Sequence, residues 1–226
     1  MTLKGKLQQE AKRLGFSDLG VADPDEFSKH PRVPRPESED EYYERPKEVW
    51  PGCRSVVVAA LHVTEEILDA LVDTDSLRAV FYNEVINHRL HLLAEWLSEQ
   101  GYTSLVCRRI SYKRAAVLAG LGHIGKNTLV AHPQYGSNVR FGVMLTDASL
   151  SFNKAGDPFR SQLCTGCDRC VSVCPEDALS DYKLDFSRCM VAAEEGSRRL
   201  RAENLQKRGI FSVECNLCQK VCPLNC

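Results

Sequence analysis

The stretch CTGCDRCVSVCP, which runs from Cys164 to Pro175, decides what the last third of this 226-residue chain can be. Its cysteines Cys164, Cys167, Cys170 and Cys174 have the spacing C-x2-C-x2-C-x3-C-P of bacterial ferredoxins, in which three thiolates ligate one [4Fe–4S] cluster and the fourth ligates a second. Soft thiolates are the ligands that iron–sulfur clusters prefer. The stretch therefore predicts a small ferredoxin-like domain with two [4Fe–4S] clusters.

A second, shorter cysteine motif repeats the pattern further along the chain. Residues 215–223 have the spacing C-x2-C-x3-C-P, which matches the first motif without its leading cysteine. Cys189 lies between the motifs and can supply the missing ligand. Because the last cysteine of each motif ligates the cluster of the other motif, we expect two crossed sets of ligands. The first ligand set is Cys164, Cys167, Cys170 and Cys222, and the second ligand set is Cys174, Cys189, Cys215 and Cys218.

A pair of structural zinc sites is the alternative for these cysteines, since zinc also accepts four thiolates. Zinc modules usually separate two C-x2-C pairs by a longer loop, so the density of the first motif favours iron. Three other cysteines lie outside the motifs. We expect Cys53 and Cys107 to be buried packing residues and Cys226 to be a spare thiol.

The composition favours a globular, cytoplasmic protein. The chain has eleven cysteines, and an odd number without a signal-peptide pattern at the N-terminus argues against a disulfide framework. No apolar run has the length of a membrane span. The 29 Lys and Arg residues nearly balance the 30 Asp and Glu residues, and this net charge of −1 provides no general attraction to nucleic acids or anionic lipids.

The first 155 residues alternate helix-like and strand-like patterns, which predicts an α/β (α+β) domain. Apolar spacing predicts helices over 3–14, 76–100 and 112–119, and apolar or β-branched runs predict strands over 19–22, 55–63, 103–107, 128–132 and 139–146. The proline-rich stretch 31–51 predicts a loop. Turn-rich residues 153–161 mark a boundary that we place at residue 155, so the cluster domain covers 156–226.

The second informative motif is GLGHIGKN, from Gly120 to Asn127. As a Walker A loop it lacks the Ser or Thr that should follow Lys126, because Asn127 stands there. As a Rossmann fingerprint it has G-x-G-x-x-G and Asp147 about twenty residues further on, but Pro133 interrupts the helix that should follow. Two interpretations stay open. The glycines either let the backbone approach a bulky cofactor, with Lys126 and Asn127 as polar contacts, or form a tight turn with a surface lysine.

The order of these motifs resembles that of the epoxyqueuosine reductases. The resemblance rests on AGLGHIGKNT at 119–128, YGS at 135–137, LTD at 145–147 and both cysteine motifs, which together cover about half of the chain. It implies an N-terminal α/β domain that binds cobalamin, a double [4Fe–4S] domain, and reduction of an epoxide in a tRNA nucleoside. It also implies that the corrin lies near the glycine turn, where the expected contacts are Gly122, His123, Ile124, Gly125, Lys126, Asn127 and Ser137.

Three features differ from the family pattern. His123 stands where the family usually has tryptophan, and it is either an axial cobalt ligand or a hydrogen-bonded packing residue. The family has a catalytic aspartate upstream of the glycine motif, whereas residues 106–112 contain no acidic residue. Tyr112 and Lys113 are the candidate proton donors in its place, and a helix start that faces solvent is the alternative. The sequence also stops four residues after Cys222, so we expect no helical repeats there, which weakens the expectation of a tRNA substrate.

Two functions are consistent with these patterns. The first is a cobalamin-dependent reductase that passes electrons from a low-potential donor of the flavodoxin or ferredoxin type to a small-molecule or modified-nucleoside substrate. The second is a non-catalytic, ferredoxin-like electron-transfer protein whose N-terminal domain only docks a partner enzyme. Binding of cobalamin distinguishes the two.

Overall fold

The structure, a computed structural model, describes residues 1–35, 41–63, 70–73, 78–155, 162–192, 211–213 and 215–225. The helices are α1 (Leu3–Arg13), α2 (Pro46–Val49), α3 (Phe81–Glu99), α4 (Tyr112–Leu118), α5 (Arg169–Ser172) and α6 (Leu217–Lys220), with 3-10 turns at Glu26–Lys29, Gln162–Cys164 and Pro223–Asn225. The strands are β1 (Asp18–Ala22), β2 (Ser55–His62), β3 (Ala70–Asp73), β4 (Arg78–Val80), β5 (Ser104–Val106), β6 (His123–Ile124), β7 (Val130–Ala131), β8 (Val139–Thr146), β9 (Leu179–Ser180), β10 (Lys183–Leu184) and β11 (Phe211–Val213).

A four-stranded antiparallel sheet is the centre of the N-terminal part, with the strand order β1–β2–β8–β5. The longest pairing joins β2 to β8, from Ser55 opposite Thr146 to His62 opposite Val139. Seven consecutive residues of β2 are buried, because helices cover both faces of the sheet. The predicted α/β (α+β) class is confirmed, and the antiparallel pairing makes the N-terminal domain an α+β domain.

Alternate residues of β2 point to two different cores. Val57 and Ala59 pack with α1 and α3 on one face, where Leu90 and Leu93 are fully buried. Val56, Val58 and Ala60 pack with α4 on the other face. This alternation is the period of two that places successive side chains of a strand on opposite faces of its sheet.

Most predicted elements of the N-terminal part occur close to their expected positions, as α1, β1, β2, β5, α4 and β8. Two predictions were wrong in extent. Residues 78–80 form strand β4 rather than the start of the long helix, which begins at Phe81. The strand predicted over 128–132 is only β7, because Thr128 has a left-handed backbone with a φ of 61°. The predicted loop contains the short helix α2, which begins with Pro46, and its residues 36–40 lie outside the described ranges.

Gly142 lets α3 pack directly on β8, and we expect Gly142→Ala to destabilise the protein. An added Cβ would collide with the side chains of Ile86 and Leu90. Such overpacking usually costs about 1–3 kcal/mol. The control is Gly5→Ala in α1, where the new Cβ would meet only the flexible side chain of Met1 at 3.2 Å and Thr2 Oγ1 at 3.4 Å. Thermal unfolding followed by circular dichroism should show a lower midpoint for Gly142→Ala alone, and equal midpoints for both variants would contradict this packing argument.

The C-terminal part contains α5, α6 and the β9–β10 hairpin, and it is not separate from the N-terminal part. Strand β11 pairs with β3, which in turn pairs with β4. The predicted boundary at residue 155 borders residues 156–161, which lie outside the described ranges, so its position stays a prediction. Within the described residues, no helix has both the length and the apolarity needed to cross a membrane.

Cys53 and Cys107 are buried in the core between α4 and the sheet, as expected for packing residues. Burial raises the pKa of Cys53 to about 11 and also raises the pKa of Cys107, so both thiols stay protonated at neutral pH. Cys226 lies outside the described residues.

Candidate functional site

The thiols of the first ligand set line one open pocket, which we call the thiol pocket. Its lining includes Cys164, Cys167, Cys170 and Cys222. Cys222 belongs to the second motif, and the fold brings it beside three cysteines of the first motif. Among the described residues, no three His, Cys, Asp or Glu side chains converge as they would around a single metal ion. The four thiols instead surround a space, which is the arrangement that a multi-iron cluster requires.

The cysteines of the second ligand set lie within electrostatic reach of one another. Burial raises the pKa of Cys218 to about 12, and negative charge on Cys215, Cys189 and, more weakly, Cys174 contributes to this increase. Cys170 of the first set also contributes, so the two sets are neighbours. Crowded thiolates repel each other unless a cation lies between them, and bound iron would supply that cation.

The repeated sequence produces a repeated local structure. Helices α5 and α6 carry Cys170 and Cys218 respectively, and each helix is four residues long. The next cysteine then donates its backbone N–H back into the helix, from Cys174 to Val171 at 3.2 Å and from Cys222 to Gln219 at 2.9 Å. A proline follows each of these cysteines and prevents the helix from continuing. The two motifs therefore present their last cysteines in the same way.

The glycine turn of the N-terminal domain forms one wall of the thiol pocket. Gly125, Lys126 and Asn127 line the pocket together with the thiols. A Cβ added at Gly125 would lie only 3.6 Å from Cys164 Sγ. Gly122 has a φ of 153° and lies directly against the carbonyl of Ala131. The glycines therefore let the backbone lie close to Cys164 and to the Ala131 carbonyl, and their approach to a cofactor stays a prediction.

Lys126 is an internal contact rather than a surface lysine. Its Nζ lies 2.7 Å from Asp168 Oδ1 and 3.8 Å from Asp181 Oδ1, and only 13% of the side chain is exposed. The hydrogen bond to Asp168 raises the pKa of Lys126, so the ammonium stays charged. Asp168 lies between two cysteines of the first motif, so the ion pair connects the glycine turn to the cluster domain.

Asn127 and Ser137 also contact the second motif. Asn127 is buried, and its Nδ2 donates to the carbonyl of Cys218 at 3.4 Å. The backbone N–H of Ser137 donates to Asn225 Oδ1 at 2.6 Å. Two residues that the resemblance assigns to the corrin therefore use their polar groups to bind the cluster domain.

His123 and Ile124 form the strand β6, which pairs with β7 in a two-stranded ribbon. Ile124 packs against the core beneath α4. The His123 side chain is partly exposed, whereas its Nδ1 is buried and has no hydrogen-bond partner in the part of the chain that the structure describes. A buried ring nitrogen without a partner is costly, and a bound group could supply one.

Tyr112 and Lys113 begin α4 after the N-cap Ser111, whose Oγ accepts from the backbone N–H of Arg114 at 3.4 Å. Tyr112 packs against the core, and burial raises its pKa. Lys113 is exposed to solvent, yet the surrounding protein lowers the pKa of its ammonium, against the opposing effect of Cys189 and Cys218. Because Cys189 and Cys218 both act on its ammonium, Lys113 lies near the second ligand set.

The sequence analysis missed three polar residues at this site: Arg140, Gln219 and Asn225. Arg140 Nη2 donates to Gln219 Oε1 at 3.4 Å, and both residues contact Ser137. The only local signal was the charge of Arg140 within the apolar strand β8. Gln219 and Asn225 belong to no recognisable pattern, because their partners are more than 75 residues away in sequence.

The cluster domain is identified by comparison with protein families. Residues 163–225 match the family described as a 4Fe-4S double cluster binding domain. The match includes all eight cysteines of the two ligand sets. The C-terminal part is therefore a double [4Fe–4S] domain, and iron rather than zinc is its metal.

The resemblance of the motifs to epoxyqueuosine reductases is confirmed over most of the chain. The epoxyqueuosine reductase of Synechococcus sp. (strain CC9605) is 31% identical over 194 residues, which are 80% of this chain and 58% of that protein. The epoxyqueuosine reductase of Bacillus subtilis (strain 168) is 29% identical over 99% of this chain. The chain spans 50–64% of the length of five curated relatives that it matches.

The overall fold also occurs in a solved structure of an epoxyqueuosine reductase. An epoxyqueuosine reductase in complex with an epoxyqueuosine-modified tRNA stem loop superimposes with a TM-score of 0.72 at 24% identity, over 99% of this chain and 65% of that one. At this level of identity the similarity establishes the fold.

Proposed function

We propose that this chain, which is similar over most of its length to the epoxyqueuosine reductases, is an iron–sulfur oxidoreductase that uses cobalamin. One observation carries the proposal: the glycine turn of the N-terminal domain forms a wall of the thiol pocket. A cofactor held at this turn would lie beside the first cluster. A domain that served only to dock a partner enzyme would not need this contact.

The two ligand sets would hold the clusters. The residues fit, because four thiols surround the thiol pocket and the second set is crowded around Cys218. When bound, the clusters supply single electrons at low potential. Arg169 lines the thiol pocket, and its positive charge would favour the more negative, reduced state of the first cluster, whereas the charge of Lys126 is balanced by Asp168. An external flavodoxin or ferredoxin is the proposed source of electrons.

The residues around the glycine turn would hold cobalamin. The fit rests on the unpartnered Nδ1 of His123 and on the open pocket that the glycine turn lines. When bound, cobalamin supplies the reactive metal, while the protein orients it and excludes water. The other proposed contacts are Gly122, Ile124, Gly125, Lys126, Asn127 and Ser137. Of these, Lys126, Asn127 and Ser137 also bind the cluster domain, so they would fix the spacing between the two cofactors.

Lys113 is the proposed proton donor in place of an aspartate. Its side chain is exposed, and the lowered pKa makes proton release easier than from an ordinary surface lysine. Tyr112 is less suitable, because it packs against the core and burial raises its pKa. Arg140 lies close enough to lower the pKa of Lys113 further and cannot itself release a proton.

The proposed substrate is an epoxide of a modified nucleoside. Removal of the epoxide oxygen as water leaves a carbon–carbon double bond and consumes two electrons and two protons, so the reaction needs both an electron source and a proton donor. A tRNA stem loop with epoxyqueuosine is the substrate to assay, because one protein of this fold binds it.

The second candidate is an electron carrier without cobalamin. One observation favours it: Lys126, Asn127 and Ser137, which the resemblance assigns to the corrin, direct their polar groups to the cysteine motifs. In that case the glycine turn would hold the two parts of the chain together and would bind no cofactor.

Anaerobic reconstitution with iron and sulfide, followed by cobalamin and gel filtration, tests the proposal. We expect about eight iron atoms and one cobalt atom to elute with each chain. His123→Phe should weaken cobalamin binding about tenfold, as one lost hydrogen bond would, and leave the iron content unchanged. His88→Phe, on the exposed face of α3, is the matched control. Iron without cobalt in the wild-type protein would overturn the reductase and support the carrier.

A further inference from the structure

A polar cluster of two buried residues and the half-buried Asn225 joins the second cysteine motif to the turn before β8. Asn225 Oδ1 accepts from the backbone N–H of Ser137 at 2.6 Å and from its Oγ at 3.1 Å, and Asn225 Nδ2 donates to the carbonyl of Gln219 at 2.8 Å. Gln219 Nε2 donates to the carbonyl of Ser137 at 2.9 Å. Ser137 and Gln219 are 4% and 6% exposed. We call Ser137, Gln219 and Asn225 the polar clamp.

The backbone around the polar clamp leaves no room for a side chain at Gly136. A Cβ added at Gly136 would collide with the carbonyl of Leu224 and with Asn225 Oδ1, and Gly136 has a φ of 54°. The turn that contains Gly136 is closed by hydrogen bonds in both directions with the backbone of His132, at 2.7 and 3.0 Å. His132 Nε2 in turn lies 3.2 Å from Asp18 Oδ2. The N-terminal side of the clamp is therefore held by hydrogen bonds and close packing.

The polar clamp holds Cys222 from both sides. Gln219 and Asn225 each lie three residues from Cys222, and backbone bonds connect them to it: Cys222 N–H donates to the Gln219 carbonyl at 2.9 Å, and Asn225 N–H donates to the Cys222 carbonyl at 3.1 Å. The other three thiols of the thiol pocket come from residues 164–170. Only Cys222 must reach this pocket from the second motif.

We propose that Gln219 and Asn225 are positioning residues that fix Cys222 as the fourth ligand of the first cluster by anchoring it to Ser137. The inference rests on the ligand sets of the proposed function. When the clamp is weakened, the iron atom that Cys222 ligates becomes labile. One-electron oxidation by ferricyanide converts [4Fe–4S]²⁺ to [4Fe–4S]³⁺, which releases Fe²⁺ and leaves [3Fe–4S]⁺.

The test compares Gln219→Ala and Asn225→Ala with Lys220→Ala in the reconstituted full chain. Lys220 is exposed on α6 and, like Gln219, lies between Cys218 and Cys222, so it is a matched control. After one equivalent of ferricyanide, we measure the yield of [3Fe–4S]⁺ by EPR and the iron that remains bound. We expect about fivefold more [3Fe–4S]⁺ in both clamp variants than in the control, as for one lost buried hydrogen bond. Asn225→Asp keeps the acceptor oxygen for Ser137 and should fall between Asn225→Ala and wild type.

Equal yields of [3Fe–4S]⁺ in the clamp variants and in Lys220→Ala would overturn the inference. If Gln219→Ala or Asn225→Ala fails to fold, Ser137→Ala provides the same comparison from the other side. It removes the hydroxyl and keeps the backbone bond to Asn225, so a smaller rise is expected and no rise would contradict the clamp. Wild-type protein that binds only one cluster would instead contradict the proposed ligand sets.

Discussion

Removal of iron and sulfide should unfold residues 162–192 and 215–225 while the four-stranded sheet stays folded. The described residues of these ranges bury few apolar side chains, namely Cys170, Ala178 and Leu179, whereas both faces of the sheet are covered by extensive cores. A small module without its own core depends on its metal for stability, and the free energy of metal binding is then free energy of folding.

Hydrogen exchange with mass spectrometry, on the reconstituted protein and on protein treated anaerobically with a chelator, measures this effect. We expect amides of α5 and α6 to exchange roughly 100-fold faster or more after iron removal, which corresponds to a loss of about 3 kcal/mol of local stability. Amides of β2 and β8 are the internal control and should keep their protection. Protected α5 and α6 amides in the iron-free protein would show that the cluster domain folds without its clusters.

Paired cysteine substitutions should separate crossed from uncrossed ligation by the iron that each variant retains. If each ligand set holds one cluster, Cys167→Ala with Cys222→Ala damages only the first cluster, and about four iron atoms stay bound. Cys218→Ala with Cys222→Ala damages both clusters, and almost no iron stays bound. The reason to expect this pattern is that Cys222 and Cys167 line the same pocket.

Uncrossed ligation predicts the reverse for the same two double variants, so either result is informative. Iron analysis after gel filtration under anaerobic conditions is the measurement. Cys107→Ala is the control, because Cys107 is buried in the core near α4, and its iron content should equal that of wild type. Retention of four iron atoms by Cys218→Ala with Cys222→Ala would refute the crossed sets.

The features that the sequence predicted well are those with a local signal. The spacing of the first motif indicates two clusters because three thiolates within seven residues can ligate one cluster, whereas the fourth, next to Pro175, ligates the other. The run from Ser55 to His62 indicates a buried strand because its apolar residues do not alternate with polar ones. Gly15, with a φ of 83°, ends α1 where the pattern expected it to end.

The features that the sequence did not predict depend on long-range pairing. Strand β3 forms between β4 and β11, and β11 lies about 140 residues further along the chain. The ion pair of Lys126 with Asp168 and the hydrogen bonds of Asn225 with Ser137 likewise connect distant positions. Neither Asp168 nor Asn225 has a local pattern that distinguishes it from a solvated polar residue.

The position of Cys222 also sets the order in which the protein can be assembled. The ribosome releases Cys164, Cys167 and Cys170 well before it adds Cys222, and the polar clamp needs Asn225 as well. A nascent chain therefore exposes three thiols of the first ligand set before the fourth ligand, Cys222, is present. Insertion of the first cluster with all four ligands must await the synthesis of residues 222–225, so we expect iron and sulfide to reach the first ligand set only after Asn225 has left the ribosome.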